Sequence, residues 1–215
     1  MLTCADRTVE DCLAVLETVA DLGLKHIGFK DIGQPEPVLA ELNRRIKATG
    51  ATSYLEVVSL STESARQSAR AALRLGVDRL LGGDDPGAVV AETGGRLPYY
   101  PFVGRPEGHP TALRGAASDI AEGCRQAEAL GCAGVDLLAY RAVDADPVDL
   151  IRAARGCVTG TLLVAGSIAS PERVRDLKAA GVDAFTIGSA LFERRFSPGK
   201  DSLREQVKDV LTALD

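Results

Sequence analysis

The chain has 215 residues, 46% of them hydrophobic, with 4% aromatic content and no Trp, so a core of Val, Leu, Ile and Ala for one domain over residues 1–215 is expected. A formal net charge of −5 argues against a nucleic-acid partner. No apolar run is long enough for a membrane span, and the opening MLTCADRTVEDC has neither the basic region nor the apolar core of a signal peptide, which points to the cytoplasm.

The strongest organisational signal is repetition. The segments ADLGLKHIGF, ALRLGVDRLL, AEALGCAGVDLL and LKAAGVDAFTI all read as helix end, glycine, short turn and strand. A unit recurring in that order is a βα repeat, and eight of them make an α/β chain that closes as a (β/α)8 barrel. In chain order the strands are expected at 1–4, 26–30, 52–58, 79–82, 97–103, 135–140, 161–165 and 184–187. A doubly wound open sheet is the alternative, but the G-x-G-x-x-G fingerprint is absent after the first strand. The five cysteines, Cys4, Cys12, Cys124, Cys132 and Cys157, are odd in number and without C-x-x-C spacing. Neither a disulfide framework nor a zinc site follows, and reduced, unpaired thiols are expected.

Alternation along the strands sorts inward from outward residues. Ile27 and Phe29 are large and apolar and face the helices, which turns His26, Gly28 and Lys30 inward. Lys30 falls at the carboxyl end of its strand, where barrel active sites lie, and His26 at the opposite, structural end. The same logic points Tyr54, Glu56 and Val58 inward from the third strand, and Asp136, Leu138 and Tyr140 from the sixth. A lysine and two carboxylates inside one barrel are costly unless paired. They read either as a site with perturbed pKa values or as a structural Lys30–Glu56 ion pair without chemistry.

The stretch 104–118, GRPEGHPTALRGAAS, is rich in Gly and Pro and reads as a long loop after the fifth strand. It carries Arg105, His109 and Arg114, which with Tyr140 could meet an anionic substrate. The alternative is a solvated surface loop.

The chain is organised around 161–196, TLLVAGSIASPERVRDLKAAGVDAFTIGSALFERRF. The unbroken apolar run Leu162 to Ala165 marks a strand buried on both faces, and Gly166 and Ser167 follow it. Ser170, Pro171 and Glu172 start a helix that Gly181 ends. Ala184 to Ile187 forms the next strand, and Gly188 and Ser189 open a short helix. Two glycine turns at neighbouring strand ends place unhindered N–H groups around one small volume, which suits a phosphate. Alternatively, both glycines merely close tight turns.

On these residues, VAGSI and AAGVDAFTIGSALF, the chain resembles the ribulose-phosphate-binding (β/α)8 barrels, the group of the histidine- and tryptophan-pathway isomerases, thiamine phosphate synthase and orotidine phosphate decarboxylase. The resemblance covers about a sixth of the chain and implies a small phosphorylated ligand held after the seventh and eighth strands. That group has Gly-Gly where this chain has Gly166-Ser167. The opening LTCADRTVEDC and LGLKHIGF is similar to phosphoribosylanthranilate isomerases, which implies Cys4 as base and Asp136 as acid, although Ala5 and Asp6 replace the glycine expected after the cysteine. GFKDIG resembles the lysine segment of orotidine phosphate decarboxylases, but Gly28 stands where a carboxylate is required. Pentulose phosphate epimerases hold a metal with two histidines and two aspartates, and His26 and His109 are not placed for that.

Neither metal nor cofactor is therefore called for. What remains is a lyase or aldolase reading, in which Lys30 forms a Schiff base or stabilises an enolate while Glu56 or Asp136 moves protons, beside an isomerase reading. A non-catalytic regulator that binds a phosphorylated metabolite is the alternative from another class. A homo-oligomer is compatible with all of these.

Overall fold

A computed structural model describes residues 1–58, 61–108 and 111–214. Its strands and helices alternate as β1 (Thr3–Cys4), β2 (Arg7–Thr8), α1 (Cys12–Val19), β3 (His26–Lys30), α2 (Glu36–Ala48), β4 (Thr52–Val57), α3 (Thr62–Leu75), β5 (Arg79–Gly82), α4 (Pro86–Thr93), β6 (Tyr99–Tyr100), β7 (Arg105–Glu107), β8 (Ala112–Arg114), α5 (Ala117–Ala129), β9 (Gly134–Leu137), α6 (Pro147–Arg155), β10 (Thr161–Val164), α7 (Pro171–Ala179), β11 (Ala184–Phe185), α8 (Ser189–Phe192) and α9 (Leu203–Leu214).

The wall is built from two parallel arcs, β3-β4-β5-β6 and β9-β10-β11. Asp136 joins them: its N–H donates to the Pro101 carbonyl at 2.8 Å, and its own carbonyl accepts from Val103 N–H at 3.3 Å. At the other seam Leu2 N–H donates to the Gly28 carbonyl at 2.7 Å, and the Met1 nitrogen donates to the Ile187 carbonyl at 2.8 Å. The ring is therefore closed, as a (β/α)8 barrel requires, and the open doubly wound sheet is excluded.

Helix starts follow ordinary capping chemistry. Asp146 accepts from Val148 and Asp149 N–H at the head of α6, and Ser170 accepts from Arg173 N–H at the head of α7, each with Pro in the first turn. The outward strand residues fill the layer beneath the helices, with Ile27, Phe29 and Leu55 packed in one cluster with Leu42 and Ile46. The five cysteines are unpaired thiols.

Several expected boundaries are corrected. The fifth strand, expected over 97–103, forms a ladder only at β6 with a lone bridge at Phe102, because Pro98 and Pro101 have no N–H to donate. The sixth, expected to reach Tyr140, ends at Leu137, and residues 139–141 form a 3-10 turn. The first strand adds an antiparallel pairing of β1 with β2, made by Ala5 and Asp6 at φ 47° and 56°. Within the loop expected over 104–118, β7 and β8 pair as an antiparallel hairpin.

The β9–β10 contact leaves no space at its start. A Cβ on Gly134 would lie 2.0 Å from the Thr161 carbonyl oxygen, a backbone atom that cannot rotate away. Gly134→Ala is expected to destabilise the protein by about 1 to 3 kcal/mol or more, read as a lowered urea midpoint at unchanged slope.

Candidate active site

At the carboxyl ends of the barrel strands lies a cavity of about 460 Å3, lined by Asp6, Lys30, Glu56, Arg141, Gly166, Ser167, Gly188 and Ser189 among others. Parallel register pairs Lys30 with Glu56 across β3 and β4, and the period of two turns both side chains inward. Lys30 Nζ lies 3.0 Å from Glu56 Oε1 and 2.8 Å from Asp6 Oδ1. Asp6 comes from the left-handed turn between β1 and β2, a conformation Asp tolerates better than most residues. Its two oxygens also receive Arg141, each at 3.1 Å, in a bidentate pair.

Two cations and two carboxylates thus balance one another within hydrogen-bonding reach. Burial pulls the Lys30 pKa down, but Glu56 and Asp6 together outweigh it and raise the pKa above the ordinary value, so the side chain is an ammonium at neutral pH. Burial pushes Asp6 up, but the hydrogen bonds from Arg141 and the charge of Lys30 hold it well below the usual carboxylate range. Removing one member would leave a buried charge uncompensated, at a cost of about 3 to 5 kcal/mol.

Asp136 is completely buried, does not line the cavity, and neither carboxyl oxygen finds a hydrogen-bond partner among the described residues. Burial, then the negative charge of Glu56, pushes its pKa well up against the weaker pull of Lys30 and Arg141.

The opposite wall is the pair of turns after β10 and β11. The backbone N–H groups of Gly166, Ser167, Gly188 and Ser189 find no acceptor among the described residues. Gly166 has φ +78°, and a Cβ there would meet Arg141 Nε at 2.5 Å. Glycine at 166 therefore serves both the turn and the passage of the arginine. Ser167 also adopts a positive φ, 56°, and Arg173 donates to its carbonyl from the rim. Ser189 Oγ accepts from Ala5 N–H at 3.1 Å, tying the β11 turn to the turn that carries Asp6.

The other expected site residues lie elsewhere. Cys4 does not line the cavity; its thiol faces Glu193 at 4.0 Å. Arg105 faces Asp119, Arg114 is held by Glu107 and Asp144, and neither reaches the cavity wall, to which the hairpin contributes Thr111 and Ala112 instead. Tyr140 lies beneath the Arg173 guanidinium, 4.7 Å from ring centre to Cζ, and also outside the lining. His109 falls outside the described residues. His26, at the amino end of β3, meets Tyr54 Oη at 2.9 Å. No group of three or more His, Cys, Asp or Glu side chains among the described residues could hold a metal ion, and no helix of the described residues is long and apolar enough to cross a membrane.

No protein-family model matches the chain, and no curated protein matches it in sequence. Solved structures do. Orotidine 5'-phosphate decarboxylase from Pyrococcus horikoshii superposes with a TM-score of 0.66 at 18% identity, over 94% of this chain and 92% of that one. A mutant tryptophan synthase alpha-subunit from Pyrococcus furiosus gives 0.64 at 16%, over 97% and 95%. N-(5'-phosphoribosyl)anthranilate isomerase from the same organism gives 0.62 at 14%, over 94% and 93%. These likenesses establish the fold: the chain is a (β/α)8 barrel of the architecture that the resemblance in its last two strand turns implied.

Because the Asp136 carboxyl binds its proton more tightly folded than unfolded, stability falls as pH rises above about 4 and levels off beyond the folded pKa. Asp136→Asn is therefore expected to be more stable than the parent at pH 8, by on the order of 1 to 3 kcal/mol, with the difference vanishing near pH 3. Urea unfolding at both pH values checks it, and equal shifts at the two would refute the buried-acid assignment.

Proposed function

We propose that the protein is an enzyme acting on a small phosphorylated carbonyl metabolite such as a sugar phosphate, with lyase, aldolase or isomerase chemistry. The observation that carries this reading is the placement of the Lys30 ammonium, between Asp6 and Glu56, in the same cavity as the unpartnered N–H groups of Gly166, Ser167, Gly188 and Ser189. The turns hold the phosphate and the ammonium meets the carbonyl end.

Lyase, aldolase and isomerase reactions of this kind share one demand: negative charge develops on a carbonyl oxygen as a proton or carbon fragment leaves the adjacent carbon. A lysine ammonium has three N–H donors. Asp6 and Glu56 occupy two of them, and the third is available for that oxygen. A preorganised cation stabilises such an oxyanion, typically by about 3 to 4 kcal/mol per donor where water is excluded. Glu56, which lines the cavity beside Lys30, is the carboxylate placed to take the substrate proton. The raised Lys30 pKa favours this oxyanion role over a Schiff base, whose formation needs the free amine.

The decarboxylase and the isomerase above act, by their names, on phosphorylated substrates of different reaction types, which supports the general kind of ligand. A regulator that only binds a phosphorylated metabolite would use the turns but has no need of buried charges.

A thermal-stabilisation screen of phosphorylated aldehydes and ketones identifies the ligand. Lys30→Met is then expected to lose about 100- to 1000-fold in turnover while phosphate-group binding stays within a few-fold. Borohydride trapping is expected to leave Lys30 unmodified; an adduct there would replace the oxyanion role with a Schiff base. Undiminished turnover in Lys30→Met would reduce the ion cluster to a structural one, and the absence of any turnover with tight ligand binding would favour the regulator.

A further inference from the structure

The Arg141 side chain is placed to do more than neutralise Asp6. It leaves the 3-10 turn after β9, crosses the cavity beside Gly166, and ends on Asp6. Its two terminal nitrogens are used: one donates to Asp6 Oδ1, the other to Asp6 Oδ2 and, at 3.4 Å, to the Thr111 carbonyl. Its Nε–H finds no acceptor among the described residues, and Nε is the atom that lies against Gly166, whose own N–H is also unpartnered. Both side chains line the cavity, and that of Arg141 is the more exposed, at 22% against 8% for Asp6.

We propose that Arg141 is the cationic ligand of the substrate's phosphate group and that phosphate and Asp6 share this one guanidinium. The proposal rests on the phosphate reading of the β10 and β11 turns and adds to it the coupling between the two ends of the cavity. A phosphate seated on the turn N–H groups meets the Nε edge of Arg141 and draws the fork away from Asp6, because a dianion competes better for a planar guanidinium than a single carboxylate does. Asp6 then keeps Lys30 but loses its bidentate partner, and its affinity for a proton rises. Occupancy of the phosphate subsite thereby prepares a second carboxylate beside Lys30 for proton transfer. By reciprocity, whatever releases Arg141 from Asp6 must tighten phosphate binding. Arg141 is a positioning residue towards Asp6 and a direct ligand towards phosphate.

The test uses inorganic phosphate and calorimetry on the full chain. Arg141→Gln is expected to weaken phosphate about 10-fold or more, and Asp6→Asn to tighten it several-fold. Removing a negative charge also favours an anion through space, so the double variant decides. If the gain passes through Arg141, Asp6→Asn brings none in the Arg141→Gln background; a gain of equal size there overturns the sharing. Should either variant fold poorly, the parent protein labelled with 15N-arginine gives the answer: the Arg141 Nε–H resonance should shift on adding phosphate together with the Gly166 and Gly188 amides. Amide shifts with a stationary Arg141 resonance overturn the inference and leave the phosphate turns standing. Shifts at neither overturn the phosphate reading and the inference with it.

Discussion

The contact on which the site depends is the ammonium of Lys30 held between two carboxylates, 2.8 Å from Asp6 and 3.0 Å from Glu56. An isolated ion at that depth would lose its charge or unfold its surroundings. Three separate elements must therefore arrive together: the end of β3, the end of β4, and the turn that follows β1. The β3–β4 register delivers the first two as direct neighbours. The third arrives because β1 docks beside β3, with Leu2 bonded to Gly28 and the β1–β2 hairpin folded over the end of β3, where Thr8 both donates to and accepts from the Lys30 backbone at 2.8 and 2.9 Å. Without the β1–β2 turn in place, Lys30 would be left with Glu56 alone and Arg141 without its Asp6 partner.

Period-two alternation made the inner faces of β3, β4 and β9 legible from the residues alone, since large apolar side chains at alternate positions could face only the helices. Lys30, Glu56 and Asp136 followed from that. The turns at Gly166 and Gly188 were legible because apolar runs ending in glycine have few other readings. Asp6 and Arg141 were not, and for a physical reason. Each lies just past the end of a strand, where alternation no longer applies, and each is aimed by a local turn: a left-handed pair at Ala5 and Asp6, and the 3-10 turn at 139–141. Their shared signal was position, a charged residue within the few residues that follow a barrel strand at its carboxyl end. Cys4 shows the converse. A motif match suggested a base there, but the parity that brings Thr3 into the cavity lining leaves Cys4 out of it.

Fold and chemistry separate cleanly at this level of likeness. Structures that share no more than 18% identity in the comparisons above superpose over nearly the whole chain, which reflects the demands of strand tilt, helix packing and closure. Those demands constrain the outer face of each strand. They say little about the inner face near the carboxyl ends, where a few side chains decide the reaction. Whatever reaction the cavity supports therefore depends on Asp6, Lys30, Glu56, Arg141 and the turn N–H groups, not on the shared barrel.

Charge balance also limits how such a cavity can bind its ligand. Asp6 and Glu56 cancel Lys30 and Arg141, Glu193 pairs with Arg195 at the rim, and Asp136 is driven towards its neutral form. The phosphorylated substrate of the proposed function would therefore meet no standing excess of positive charge. On that reading it would be held by neutral N–H dipoles, which are buried without penalty only while a ligand or water satisfies them, and by a cation that can turn from one partner to another. A fixed surplus of lysines would capture any anion. A compensated cluster rewards only an anion whose geometry reaches both the turns and the guanidinium, so on the proposed reading selectivity for a phosphate of the right length would arise from the same pairing that keeps the interior stable without it.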